Sequence, residues 1–223
     1  MTAVTALTSE HLGQLALFPL EGVALFPNTM LPLHVFEPRY KTLVEDCLEH
    51  DLPMAVWQLD PEGEETPHGP RIRNVATAGR IAVHHRHDDG RFDIVVEGLE
   101  RVRLVEEQST VTPYRIATTE RHPLTEPDRD ALLARRQVLR ELATALVPLH
   151  PRAGKLVIIT LERVDDAGEL SDVLCSLTTG NGSKRQGLLE NDSVLERLDE
   201  VIDVLGSLVL RSDPGELDEL DKV

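Results

Sequence analysis

Residues 15–40 read LALFPLEGVALFPNTMLPLHVFEPRY. Leu15 to Leu20 and Val23 to Phe26 have the apolar density of two short strands. Glu21-Gly22 separates them and Pro27-Asn28 ends the second, with Asn tolerating the left-handed backbone that a turn there needs. Glu37-Pro38 then puts proline at the first position of a helix, and Tyr40, Leu43, Val44, Cys47 and Leu48 recur on one face of it. The stretch therefore predicts strand, turn, strand and a helix over about residues 38–49.

Downstream the strand pattern continues. Met54 to Leu59 is apolar, and Asp60 to Pro70 carries acids, prolines and glycines without an apolar period, as an exposed loop does. Gly79 to Arg86 and Arg91 to Glu97 flank Asp89-Gly90, a strong hairpin signal. Leu99 to Val105 alternates as a further strand, and another is expected near Tyr114 to Thr119. Many short strands with one early helix predict a small, mostly antiparallel barrel, because closure removes exposed strand edges. After His122-Pro123-Leu124-Thr125-Glu126-Pro127 the period changes to that of helices, with stripes from Leu132 to Leu146, Leu170 to Leu177 and Val194 to Leu208. Leu156-Val157-Ile158-Ile159 alone suits either a strand or a buried helix. The fold class is α+β. Its expected divisions are an N-terminal extension (1–14), a β-barrel subdomain (15–124), a helical subdomain (125–210) and a mobile acidic tail (211–223).

Residues 15–40 resemble the substrate-binding N-terminal domain of Lon-type proteases. The likeness continues through Val75-Ala76-Thr77-Ala78-Gly79-Arg80-Ile81, where that family reads close to V-G-T-V-A-R-I, and through Val95-Val96-Glu97-Gly98-Leu99-Glu100-Arg101-Val102-Arg103. In the helical part, Gly168 to Asp172, Gln186 to Glu190 and Glu196-Arg197-Leu198 also look like the family. The resemblance implies a PUA-like pseudo-barrel, a helix at Leu156 to Ile159, and a role in polypeptide binding. A complete Lon protease continues into an ATPase module and a Ser-Lys peptidase, whereas this sequence stops at Val223. The implied protein is a recognition part without enzymatic activity. Ala76 stands where the family usually has Gly, and Asn28 where Gly is common.

The formal charge is −16, with 11 Lys/Arg against 19 Asp/Glu in residues 1–124 and 12 against 20 in the remainder. Neither half supplies the basic footprint of a nucleic-acid or anionic-membrane partner. Cys47 and Cys175, the only two cysteines, each sit in an apolar helical pattern and read as buried reduced thiols. The N-terminus has no basic segment followed by an apolar core, and no apolar run approaches the ~20 residues of a membrane span. A cytoplasmic location is expected.

His84, His85 and His87 crowd the hairpin tip. Alternation puts His85 and His87 on one face and His84 on the other, giving two of the three or four ligands zinc takes. The simpler reading is a solvated hairpin with no metal. His34 reads as a packed and hydrogen-bonded structural histidine, and Gly180-Asn181-Gly182-Ser183-Lys184 departs from a phosphate loop because Lys does not follow the second Gly directly. No catalytic residue, cofactor-binding residue or metal ligand is assigned, and no cofactor is expected. The candidate polypeptide-binding residues are Phe26, Pro27, Met30, Leu31 and Trp57. Core packing is the competing fate of each, against a groove between barrel and helices that would hold apolar polypeptide segments. The alternative function is a small-molecule-binding regulatory or catalytic domain, which a deep pocket with convergent polar groups would favour. RNA recognition rests on fold analogy alone.

Overall fold

In a computed structural model, which describes residues 6–180 and 182–210, the chain divides into two compact units between Pro123 and Leu124. Among the described residues, the first holds every strand. β1 (Leu15–Leu20), β2 (Met30–Val35), α2 (Pro38–His50) and β3 (Met54–Gln58) follow a one-turn helix, α1 (Ser9–Gly13); β4 (Val75–Arg86), β5 (Phe92–Gln108) and β6 (Ile116–Arg121) complete it. The strand order is β2-β5-β4-β3-β1-β6, and β6 pairs again with β5, so five strands close a ring to which β2 is added along β5. All pairings are antiparallel except β1 with β3, which the β2-α2 connection brings side by side in parallel. The α+β class and the near-closed sheet are as expected.

Both faces of β1 and β3 are buried, which is why β3 reads as an unbroken apolar run rather than an alternation. Phe18, Met54 and Val56 join Tyr40, Leu43, Val44 and Cys47 of α2 in one core, while Leu15, Leu17, Ala55 and Trp57 meet Ala76, Ala78, Val102 and Ala117 in the other. Pro38 opens α2 and Asp51, in the left-handed conformation at φ 53°, ends it. Burial, with a smaller contribution from Asp46, pushes the Cys47 thiol up to about 12.

Three sequence expectations change. Val23 to Phe26 is not a strand: Ala24, Leu25, Phe26 and Pro27 are buried in an irregular segment. Its polar atoms are met one at a time instead of by a ladder. Thr77 Oγ1 donates to the Leu25 carbonyl at 2.6 Å, Asn28 N–H to the Gly98 carbonyl at 2.9 Å, and Gly98 N–H to the Thr29 carbonyl at 2.9 Å. High apolar density there records burial, not pairing. The second change is that Arg91 to Glu97 and Leu99 to Val105 are one strand, β5, kept continuous by register shifts opposite Ala78/Gly79 and Ile81/Val83. The third concerns residues 1–14, expected as an extension. Leu7 is buried in the barrel core, and α1 is closed by a reciprocal cap between Thr8 and His11. The carbonyls of Leu12 and Gly13 accept from Thr119 Oγ1 and Gln108 Nε2 at 3.1 and 2.7 Å.

The elements described in the second unit are the helices α3 (Arg129–Leu146), α4 (Pro151–Arg163), α5 (Ala167–Thr178), α6 (Gly182–Glu190) and α7 (Val194–Leu210). Asp128 and Asp166 cap α3 and α5 by accepting from Ala131 and Glu169 N–H at 2.9 and 2.8 Å. The ambiguous run Leu156 to Ile159 is inside α4, and its burial explains the outcome. Val157 and Leu161, four apart, are buried while Ile159 is exposed, whereas a strand would put Val157 and Ile159 on one face. Asp172 and Arg197 form a hydrogen-bonded ion pair within this unit, both fully buried. Cys175 Sγ lies 3.9 Å from the Arg197 carbonyl oxygen. The expected mobile tail lies outside the described residues.

Candidate functional site

β2 pairs with β5 alone among the described residues, so one of its edges faces away from the sheet. An edge strand offers unpaired N–H and C=O groups to an incoming chain, and proline is tolerated there because its missing N–H interrupts no internal ladder. Pro32 sits in that strand. Alternation along β2 turns Val35, with Leu31 and Leu33 beside it, toward the core, and leaves Met30, Pro32 and His34 on the outer face.

Register extends this face across β5 and β4 in rows. Met30 is opposite Glu97 and Glu97 opposite Arg80; Pro32 is opposite Val95 and Val95 opposite Val83; His34 is opposite Asp93 and Asp93 opposite His85. The first row holds a salt bridge between Arg80 and Glu97 at 2.7 Å. The middle row is apolar. Met30, Val83 and Phe36, the residue after β2, are 59%, 60% and 61% exposed, values at which large apolar side chains keep much of their surface in water. A shallow open depression of about 420 Å³ lies on this face, lined among others by Pro32, Leu33, Val83 and Val95.

The third row is polar and tightly drawn together. Asp93 sits between two histidines: Oδ1 is 2.6 Å from His34 Nδ1 and Oδ2 is 2.7 Å from His87 Nε2. Those hydrogen bonds, His34 first, hold the Asp93 carboxyl below the usual carboxylate range. His85 stacks edge-on against His87 with ring centroids 4.8 Å apart, as strand alternation predicts for residues two apart. His34 is a correction. Its hydrogen bond is as expected, but it is exposed instead of packed, because the alternation that buries Val35 turns its neighbour outward.

The five sequence candidates separate. Phe26 and Trp57 are 0% exposed and Pro27 is buried, so these three belong to the interior of the first unit. Trp57 is held inside the barrel by its indole N–H, which donates to the Arg73 carbonyl. Phe26 lies under the close approach of Gly98, where a Cβ would fall 2.2 Å from the Phe26 carbonyl oxygen. Leu31 is half-buried against the α2 core, and Met30 alone stands well out of the surface. The burial of the first three has one reason: large apolar groups in a chain with one Trp and four Phe are the ones a small barrel needs inside. Sequence reasoning passed over Phe36 and Val83, although outward positions in an alternating strand were the available clue for Val83.

A second, narrower depression of about 320 Å³ is lined by Glu21, Glu37, Arg39, Tyr40, His68 and Arg115 among others. Its two arginines are already engaged. Arg115 makes two hydrogen bonds to Glu107 at 2.6 and 2.7 Å and one to the Pro70 carbonyl at 2.9 Å, and Arg39 lies 2.9 Å from Glu37. The glycine run at residues 180–184 belongs to no strand-loop-helix unit, since α5 precedes it and α6 begins at Gly182. Among the described residues no helix is long and apolar enough to cross a membrane.

Comparison with known proteins bears directly on this arrangement. Residues 14–207 match the model of the ATP-dependent protease La (LON) substrate-binding domain. This chain belongs to that family. It is 28% identical over 200 residues to a Lon protease of Paraburkholderia phytofirmans, covering 87% of this chain and 24% of that protein. It is 29% identical over 197 residues to the Lon protease of Trichlorobacter lovleyi, covering 86% and 23%. The chain thus spans about a quarter of the length of these relatives. The fold is similar to that of the N-terminal domain of Mycobacterium avium complex Lon protease, with TM-score 0.68, 18% identity, and coverage of 86% of this chain and 98% of that one. It is also similar to a Lon N-terminal domain protein from Xanthomonas campestris, with TM-score 0.58, 23% identity, and coverage of 85% and 97%.

Proposed function

We propose that this Lon substrate-binding domain captures polypeptide without chemistry of its own. An extended apolar segment would lie across the outer face of β2, β5 and β4, and any later processing of it would fall to another protein or module. The reading rests on family membership, and the observation that carries it to this face is the exposure of Met30, Phe36 and Val83 around the Pro32-Val95-Val83 row beside an unpaired strand edge. Two kinds of attraction converge there. Side chains of an incoming segment gain by removing these apolar groups from water, at about 25 cal/mol per Å², while its backbone can add to the β2 edge. Pro32 removes one donor from β2, so side-chain contacts carry correspondingly more of the binding. Selectivity for sequence would be low, because Met adapts its shape.

A small-molecule site is less well supported: the two arginines of the second depression, Arg39 and Arg115, are already paired with Glu37 and Glu107. Fluorescence anisotropy of a labelled, permanently unfolded polypeptide tests the proposal, with a labelled folded protein as control. The expected result is saturable binding of the unfolded probe alone, weakened at least about tenfold, or ~1.4 kcal/mol, by Met30→Ser combined with Phe36→Ser. Absence of binding up to about 100 μM, near −5.5 kcal/mol, would remove general polypeptide capture as the function.

A further inference from the structure

His34, His87 and Asp93 come from three separate places, the edge strand β2, the β4–β5 turn and strand β5, and their ligand atoms all lie within 4.8 Å of one another. We propose that they form a binding site for one divalent transition-metal ion of the zinc class. Two imidazole nitrogens and one carboxylate are a donor set that suits zinc and its neighbours better than calcium or magnesium, which prefer oxygen alone. The present contacts of 2.6 and 2.7 Å are hydrogen bonds in which each histidine nitrogen shares a proton with Asp93. Metal ligands in a tetrahedral set stand about 3.3 Å apart, given metal–ligand bonds of about 2.0–2.2 Å. The ion would therefore replace those protons after side-chain shifts of less than ~1 Å, and none of the three side chains is locked in a core.

On binding, each histidine gives its lone pair at the nitrogen now facing Asp93; the proton that nitrogen shared with Asp93 leaves it, and the other ring nitrogen is the one that carries N–H. For His34 that nitrogen, Nε2, now accepts from Arg91 Nη1 at 3.4 Å, so metal binding costs this hydrogen bond and Arg91 turns away toward Asp89, which it already contacts at 2.6 Å. His85 stacks on His87 beside the three ligands, and water completes the set. The consequence is mechanical. A metal here would tie the free edge strand β2 to the tip of the β4–β5 hairpin, stiffening the end of the face that carries the apolar row. The site stands on its own geometry and does not require that polypeptide binds there.

The test uses tag-free full-length protein. Co²⁺ is added while its visible absorption is followed, and Zn²⁺ is titrated in competition with a chromophoric chelator. One equivalent should bind with the intensified absorption of cobalt in a low-coordinate nitrogen and oxygen environment. His34→Gln and Asp93→Asn should each weaken binding by at least about tenfold, and His84→Gln, on the opposite face of β4, should leave it unchanged. Circular dichroism of the variants confirms that they fold. The proposal is overturned if the wild-type protein takes up no stoichiometric metal at about 100 μM, or if His34→Gln and Asp93→Asn bind as the wild type does.

Discussion

Two charged clusters, one in each unit, sit in opposite surroundings. The β unit keeps the Asp93 carboxylate and its histidines on an outer face, where water can reach every member, and the Arg80–Glu97 pair beside them. The helical unit takes Asp172 and Arg197 entirely out of water and pairs them inside. Polar groups of the first kind are available to partners and contribute little to stability. A pair of the second kind is unavailable to partners, and removing either member leaves the other charge stranded in a poor solvent. Asp172 and Arg197 therefore serve the interior of the helical unit, whereas the proposed polypeptide surface is on the sheet.

The sharpest way to break that contrast is Asp172→Ala. It should cost about 3–5 kcal/mol in urea denaturation, because Arg197 would keep its charge without its counter-ion, while Asp172→Leu with Arg197→Met should recover most of the loss. A cost below about 1 kcal/mol for Asp172→Ala would mean the pair is no more structural than a surface one. In the β unit the corresponding weak point is backbone proximity, not charge. Gly98→Ala would place a Cβ 2.2 Å from the Phe26 carbonyl oxygen, and neither backbone can yield like a flexible side chain. The expected loss is about 1–3 kcal/mol by thermal or urea unfolding, and a neutral result would show that the irregular segment over residues 23–29 is looser than its hydrogen bonds imply. The smallest of the three effects belongs to Asn28, at φ 59°. Asn28→Ala should destabilise by about 1 kcal/mol and Asn28→Gly by much less, since only the former adds the left-handed penalty of a Cβ with no compensating polar side chain. Equal losses for the two would point to side-chain contacts of Asn28 instead of its backbone.

Local physics made much of the fold legible. Pro38 at the helix start with the Tyr40, Leu43, Val44, Cys47 stripe, and Asp89-Gly90 between two strands, each fix an element within a few residues, and the structure has both. The left-handed Asn28 followed from its residue type in the same way. Val23 to Phe26 misled because a buried irregular segment and a buried strand have the same composition, and only the partners of the Leu25 and Phe26 carbonyls distinguish them. α1 was invisible because one helical turn is too short to show a period. For the site, the sequence marked Met30 but also Phe26 and Trp57, since apolar size says nothing about which side of a strand faces water. His85 and His87 were adjacent enough to be noticed together. Their meeting with His34 and Asp93 depends on β2 pairing with β5 across 59 residues, a register no local pattern encodes.

The most direct test of the sheet face as the binding surface is backbone amide chemical-shift mapping of the full chain titrated with an unlabelled, permanently unfolded polypeptide. Shifts concentrated in residues 30–36, 80–85 and 93–97 are the predicted result, with Asp172, Arg197 and their helices unmoved. Saturable shifts confined to the helical unit, or to the depression around Arg39 and Arg115, would contradict it.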